Sequence, residues 1–177
     1  MNYQQMLAES YQPIMWLPVE YLGRSPQVTA NYYSQPLIAD FIGDSGTTTM
    51  TQLNFTEDVD NVSAYAAFED GSPKRVAIVN LDYWNQTSSG TDRPSVSIDI
   101  SIPSSLGITN VTVDYLSSPL GAGADADTVT YAGSQWTYDS LGTEVTGVRD
   151  DSEVVSIVDN VATITVNSSA AALVSFS

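Results

Sequence analysis

Neither cysteine nor histidine occurs anywhere in the 177 residues. Their absence removes disulfides, thiol nucleophiles, Ser-His-Asp relays, imidazole metal ligands and most zinc chemistry, so any catalysis would have to run on carboxylates. Basic residues are almost as scarce: 5 Lys and Arg face 21 Asp and Glu, a formal charge of −16. A chain so acidic repels phosphate backbones and anionic lipid surfaces, which sets nucleic acid and membranes aside as partners. No stretch approaches the roughly 18 consecutive apolar residues of a membrane span. The first residues, MNYQQMLAESYQPIMW, offer neither a basic n-region nor a continuous apolar h-region and do not read as a signal peptide. Nothing in the composition calls for a cofactor or a metal.

What is present is an apolar content of 42% with 10% aromatics, the make-up of a globular protein. Its organising stretch is YAAFEDGSPKRVAIVNL, Tyr65 to Leu81, two runs of β-favouring residues joined by Glu69-Asp70-Gly71-Ser72. Asp-Gly supplies the positive φ of a tight reversal, so the stretch predicts a hairpin. Val76-Ala77-Ile78-Val79 is apolar on both faces and belongs at the centre of a covered sheet. Further runs of period 2 lie at Met50 to Phe55, Val96 to Ile102, Val111 to Tyr115, Val154 to Val158, Val161 to Val166 and Ala172 to Phe176. Thr128 to Tyr131 and Gln135 to Tyr138 predict a hairpin across Ala132-Gly133-Ser134, Asp159-Asn160 a turn, and Asp82 to Pro94 a polar loop.

The first 46 residues differ. Residues 1–28 are broken by Pro13, Pro18, Gly23 and Pro26 and read as a long loop. From Thr29 to Gly43 a helix is expected, with Tyr33, Leu37, Ile38, Phe41 and Ile42 on one face, a cap at Thr29 or Ser34, and Gly43 as its stop. The expected architecture is therefore a loop and one helix (1–46), then an all-β antiparallel sandwich of about 8–10 strands (47–177).

Asn-x-Ser/Thr triplets occur at Asn54, Asn61, Asn85, Asn110 and Asn167, all at expected turns or strand ends. They point to the secretory pathway, whereas the first residues lack a leader. The expectation that reconciles the two is that the chain is the C-terminal part of a longer secreted protein.

The segments ANYYSQPLIADFIG, YAAFEDGSPKRVAIVNLDYWN, RPSVSIDIS, VTVDYLSSPLGAGAD and AALVSFS, in this order, resemble the C-terminal end of fungal β-glucuronidases of glycoside hydrolase family 79. The resemblance implies that residues 29–43 are the last helix of a (β/α)8 barrel and that the remainder is the β-sandwich behind it. It implies a secreted parent that removes β-linked glucuronic acid from polysaccharides with retention of configuration. Such chemistry uses two carboxylates roughly 5 Å apart, and in the family these lie upstream of Met1, so the chain alone carries no catalytic pair. The barrel of the parent chain is the implied partner, and residues 1–28 correspond to a loop near the mouth of its pocket.

Within that loop Trp16, Glu20 and Tyr21 are the substrate-pocket candidates, although packing of the two rings and solvation of Glu20 are the plainer readings. A second function class is a freestanding, non-catalytic carbohydrate-binding or surface protein, its platform drawn from Tyr83, Trp84, Tyr131, Trp136 and Tyr138. Against it stands the reading that these rings fill the core. Asp125, Asp127, Asp150, Asp151 and Glu153 lack the loop spacing of a calcium cage and read as surface acidity.

Overall fold

The computed structural model describes residues 16–17, 20, 23, 25–56 and 59–176. Among them run thirteen strands: β1 (Trp16–Leu17), β2 (Gln27–Val28), β3 (Thr49–Leu53), β4 (Val62–Glu69), β5 (Ser72–Asn80), β6 (Ser95–Ser101), β7 (Asn110–Ser117), β8 (Thr130–Tyr131), β9 (Gln135–Trp136), β10 (Glu144–Val145), β11 (Ser152–Ser156), β12 (Val161–Asn167) and β13 (Ala170–Phe176). Two α-helices accompany them, α1 (Ser34–Ile42) and the single turn α2 (Gln86–Ser89). The architecture is the expected all-β antiparallel sandwich. A seven-stranded sheet in the order β11-β7-β13-β5-β4-β3, with β8 attached to β7, faces a two-stranded sheet of β6 and β12.

The hairpin that organises the sequence organises the fold. Asp70 (φ 50°) and Gly71 (φ 77°) both take positive φ, closing a two-residue reversal between Glu69 and Ser72. β5 lies between β4 and β13, and Val76, Ala77 and Ile78 are all buried. Successive residues of a strand point to opposite faces, so consecutive buried residues require a cover on each side. On one side Ala64, Ala66, Val76, Ile78, Val113, Ala172 and Val174 pack against Ile98, Ala162, Ile164 and Val166 of the smaller sheet. On the other, Ala67, Ala77, Ala171 and Leu173 pack against Tyr33, Leu37 and Phe41.

The helix opens as a 3-10 turn, Ala30–Tyr33, and continues as α1, with Pro36 in the first turn where its missing N–H costs nothing. Neither Thr29 nor Ser34 caps it: Thr29 stands at the start of the 3-10 turn without a capping bond, and the Ser34 hydroxyl donates to the Asn31 carbonyl at 2.8 Å. Gly43 ends it at φ 71°. Ile42, placed on the buried face by its spacing, is 40% exposed, because the contact stripe narrows to Tyr33, Leu37 and Phe41 at the last turn.

Other expectations are corrected. The Tyr131–Ser134 reversal forms, yet its arms do not pair with each other beyond that bridge: β8 joins β7 and β9 joins β10. β8 continues the edge of β7 beyond the end of the β11 ladder, at Leu116 and Ser117. Within the expected 1–28 loop, Trp16 and Leu17 pair with Val28 and Gln27, while residues 1–15 lie outside the described residues. The loop 82–94 contains α2, capped by the Asn85 side chain accepting from Thr87 N. The strand expected at Val154 to Val158 is Ser152–Ser156, set by its ladder with β7.

Ile78 is fully buried between the two sheets. Ile78→Asp is expected to abolish the cooperative β-sheet melt, since an unpaired buried charge costs several kcal/mol. Val154→Asp, on a residue 70% exposed, is expected to shift stability by no more than about 0.5 kcal/mol. Circular dichroism melts compare the two, and a wild-type melt for Ile78→Asp would refute the placement of β5.

Candidate docking face and helix clamp

The sheet beneath α1 is floored by small residues, Ala67, Ala77 and Ala171, which let the helix approach closely. Polar contacts then fix it at three points. At its C-terminus the Arg75 guanidinium donates from Nε to the Phe41 carbonyl (3.1 Å) and from Nη2 to the Ile42 carbonyl (3.4 Å), while Nη2 also pairs with the Glu69 carboxylate. A cation there satisfies carbonyls that the last turn leaves without partners and complements the negative end of the helix dipole. Gly43 is favoured by its positive φ, and a Cβ there, 2.5 Å from Arg75 Nη2, would push the guanidinium aside. In mid-helix the Tyr131 hydroxyl donates to Asp40 Oδ2 at 2.8 Å. Ahead of the helix the Tyr33 hydroxyl accepts from the Trp136 backbone N–H at 3.2 Å, and the two rings meet edge to face, 5.8 Å apart. Burial raises the pKa of both tyrosines, and the Asp40 carboxylate raises that of Tyr131 further.

A second arginine staples the other end of the sandwich. Arg93 donates to the carbonyls of Ser168 (2.8 Å), Ser118 (2.8 Å) and Ser169 (3.1 Å) and lies 5.3 Å over the ring of Trp84. Burial lowers its pKa, with Arg149 adding to the effect. Trp84 itself is buried, its Nε1 donating to the Thr91 carbonyl at 3.2 Å. The turn at 121–123 closes onto this residue: Ala122 N donates to the Trp84 carbonyl at 2.8 Å, and a Cβ at Gly121 would collide with the same carbonyl.

Between this end and the start of α1 the helix-bearing face of the sheet is left open. A groove of about 420 Å³ runs there, floored by Val79, Leu116 and Ala171 and bounded by Ala30 and Ala124. Leu81 and Tyr83 stand at its rim, each 69% exposed. The register puts Met50 opposite Ala67 and Tyr65 opposite Ala77, hence on the same face, where they are 58% and 39% exposed.

The residues singled out from sequence fare differently. Trp16 is half-buried with its ring 5.2 Å from that of Tyr138, Glu20 is exposed, and Tyr21 lies outside the described residues. No sugar platform forms from the aromatics: Trp84 and Tyr131 are buried, Trp136 packs on Tyr33, Tyr138 on Trp16, and Tyr83 stands apart on the groove rim. The acidic residues do not converge either. The Asp151 carboxylate accepts from Thr130 and lies 3.7 Å from Arg149, Glu153 accepts from Tyr115, and no group of three potential metal ligands exists among the described residues. Asn54, Asn61, Asn110 and Asn167 are exposed. Asn85 is different: its Oδ1 accepts from Thr87 N (3.0 Å) and Thr87 Oγ1 (2.8 Å), and its amide packs against Gly123, where a Cβ would collide. Sequence reading passed over Arg75, Arg93 and Asp40, whose partners are distant in the chain; the scarcity of cations was the available signal.

The sandwich thus carries a helix across one face of its larger sheet and leaves an apolar groove beside it. The family model for the glycosyl hydrolase family 79 C-terminal beta domain matches residues 64–173, and the chain belongs to that family. Among solved structures it is similar to a 4-O-alpha-L-rhamnosyl-beta-D-glucuronidase from Fusarium oxysporum 12S in complex with Rha-GlcA (TM-score 0.57, 21% identity). That match covers 72% of this chain and 26% of the other, so the chain spans about a quarter of the solved enzyme. At this identity the likeness establishes the fold. No curated protein sequence matches the chain.

Because folding raises the pKa of Tyr33, Tyr131 and, through burial and Glu153, Tyr115 above the ordinary value of 10.0, their contribution is complete below pH 10 and lost as pH rises beyond it. Each such group lowers stability by up to about 1.4 kcal/mol per pH unit in that range. Tyr131→Phe is expected to cost about 1 kcal/mol at pH 7 and to flatten the decline between pH 10 and pH 11.5, measured by denaturant titration. An unchanged slope would contradict the burial of that hydroxyl.

Proposed function

We propose that this chain is the C-terminal structural domain of a secreted, retaining β-glucuronidase-like glycoside hydrolase, and that its task is to hold the catalytic (β/α)8 barrel together at its last helix. The observation that carries the reading is the clamp on α1. The helix buries Tyr33, Leu37 and Phe41 into the sheet and is tied to it by Arg75, Tyr131 and the Trp136 backbone. On this reading residues 1–46 are the last barrel unit and residues 47–177 the support, and the segment before α1 is held at the pocket by the domain behind it.

The chain supplies no catalytic pair on this reading. Asp151 is the one buried carboxylate among the described residues, and its partners are Thr130 and Arg149 rather than a second carboxylate at the spacing glycoside hydrolysis needs. Hydrolysis, the glucuronic-acid-containing substrate and any role of Trp16, Glu20 or Tyr21 at its pocket belong to the complete enzyme, which needs no metal or cofactor. Four exposed sequons, at Asn54, Asn61, Asn110 and Asn167, support secretion and glycosylation. The dispersal of the aromatics weighs against a freestanding sugar-binding module.

The test is the mass of the native, deglycosylated species that yields peptides of this chain in the culture fluid of its source. A species several times larger than 19.0 kDa, active on β-glucuronides, is expected. A species of 19.0 kDa would overturn the reading.

A further inference from the structure

We infer that Asn85 is the sequon that the folded, secreted protein carries without a glycan, its carboxamide serving instead as the lock between α2 and the 121–123 turn, while Asn54, Asn61, Asn110 and Asn167 take the sugar. The inference rests on the secretory reading proposed above and adds which sites are modified.

Three observations set Asn85 apart. The first is space at the reacting atom. Glycosylation joins the carboxamide nitrogen to the anomeric carbon of a lipid diphosphate-linked oligosaccharide and releases the lipid diphosphate, which takes up the displaced amide proton. The nitrogen therefore needs open surroundings. The carboxamide of Asn85 instead lies against Gly123, so closely that even a Cβ on that glycine would fall 2.6 Å from Nδ2. A saccharide on that nitrogen would displace the 121–123 turn, which is itself bonded in place: Gln86 N donates to the Leu120 carbonyl at 3.3 Å and Ala122 N to the Trp84 carbonyl at 2.8 Å. The second is the hydroxyl that completes the triplet. Thr87 Oγ1 donates to Asn85 Oδ1 at 2.8 Å and Thr87 N donates to the same oxygen at 3.0 Å, so the triplet is folded back on itself to cap α2. The third is the contrast with sequons at the same end of the sandwich. Asn54 follows β3, Asn61 precedes β4 and Asn167 ends β12, and the pairings of Leu53 with Ala64 and of Val62 and Ala170 with Asn80 bring them to one end. Trp84 N, bonded to Ser169 Oγ at 3.0 Å, puts Asn85 at that end as well. The three are exposed, as is Asn110 at the far end, whereas Asn85 is half-buried. Location does not separate Asn85 from its neighbours; local packing does.

Site-resolved glycopeptide mass spectrometry on the native secreted species that contains this chain tests the assignment. Asn85 is expected unmodified, with sugar on Asn54, Asn61, Asn110 and Asn167. Thermal melts of the 177-residue chain, made in a host without N-glycosylation, test the lock. Asn85→Ala, which removes the Oδ1 acceptor, is expected to lower the melting temperature by roughly 2–4 °C. Asn85→Asp also destroys the triplet but keeps the acceptor, and is expected to recover most of that loss. A glycan on Asn85 in the folded protein would overturn the inference and leave the proposed function standing. An unmodified Asn85 whose alanine variant melts like the wild type, or whose aspartate variant melts as low as the alanine one, would overturn it too, since the triplet would then be passed over for a reason other than the lock. Sugar on none of the five sequons would instead refute the secretory reading, and the inference with it.

Discussion

The constraint on which the molecule depends is that its central strands are apolar on both faces. In β5, Ala77 and Ile78 are adjacent and buried, and in β13 Ala172 and Leu173 repeat the arrangement. One face alone would make a half-sandwich with its core open to water, so two covers are obligatory. The β6–β12 pair supplies one and the helix with the 129–136 segment supplies the other. The covers differ in kind. Beneath the small sheet the contact is Ile and Val against Val and Ile, whereas beneath the helix it is large aromatics against alanines, and polar bonds from Arg75, Tyr131 and Tyr33 fix the alignment.

The charge pattern follows the same division. In a chain of net −16 with five basic residues, Arg75 and Arg93 direct most of their donors to backbone carbonyls rather than to carboxylates. Arg75 gathers two carbonyls at the end of α1, and Arg93 gathers those of the 168–169 turn and of Ser118. Carboxylates are met mainly by hydroxyls, as Asp40 by Tyr131, Glu153 by Tyr115 and Asp99 by Thr163. The surface keeps its negative charge and with it a resistance to self-association.

The hairpin, the sandwich class and the helix were legible because each is written locally. Asp70-Gly71 needs only its own φ angles, strict alternation from Val96 to Ile102 needs only the pleat, and Tyr33, Leu37 and Phe41 need only the helical period. What sequence did not disclose depends on distance along the chain. Tyr131 and Trp136 promise a local hairpin, yet β8 pairs with β7 and β9 with β10, partners that neither run's own pattern names. The clamp likewise joins Phe41 to Arg75 and Asp40 to Tyr131, and no spacing rule links residues so far apart. The groove was hidden for a related reason: Leu81 reads as the end of a buried strand and Tyr83 as part of a polar loop until the sheet and helix show which part of the face remains open.

Native-state hydrogen exchange on the amides of Phe41, Ile42 and Gly43, set beside those of Ala77 and Ile78, tests most directly whether the helix and the sheet are one unit. Gly43 N donates to the Ala39 carbonyl at 2.8 Å, so its exchange reports opening of the last helical turn. If the clamp holds as described, these helix amides exchange only through the same global opening that releases the β5 amides, with protection factors agreeing within roughly tenfold. Helix amides exchanging more than about a hundredfold faster, with β5 still protected, would mean that α1 opens independently, and a domain unable to hold its helix could not hold a barrel by it.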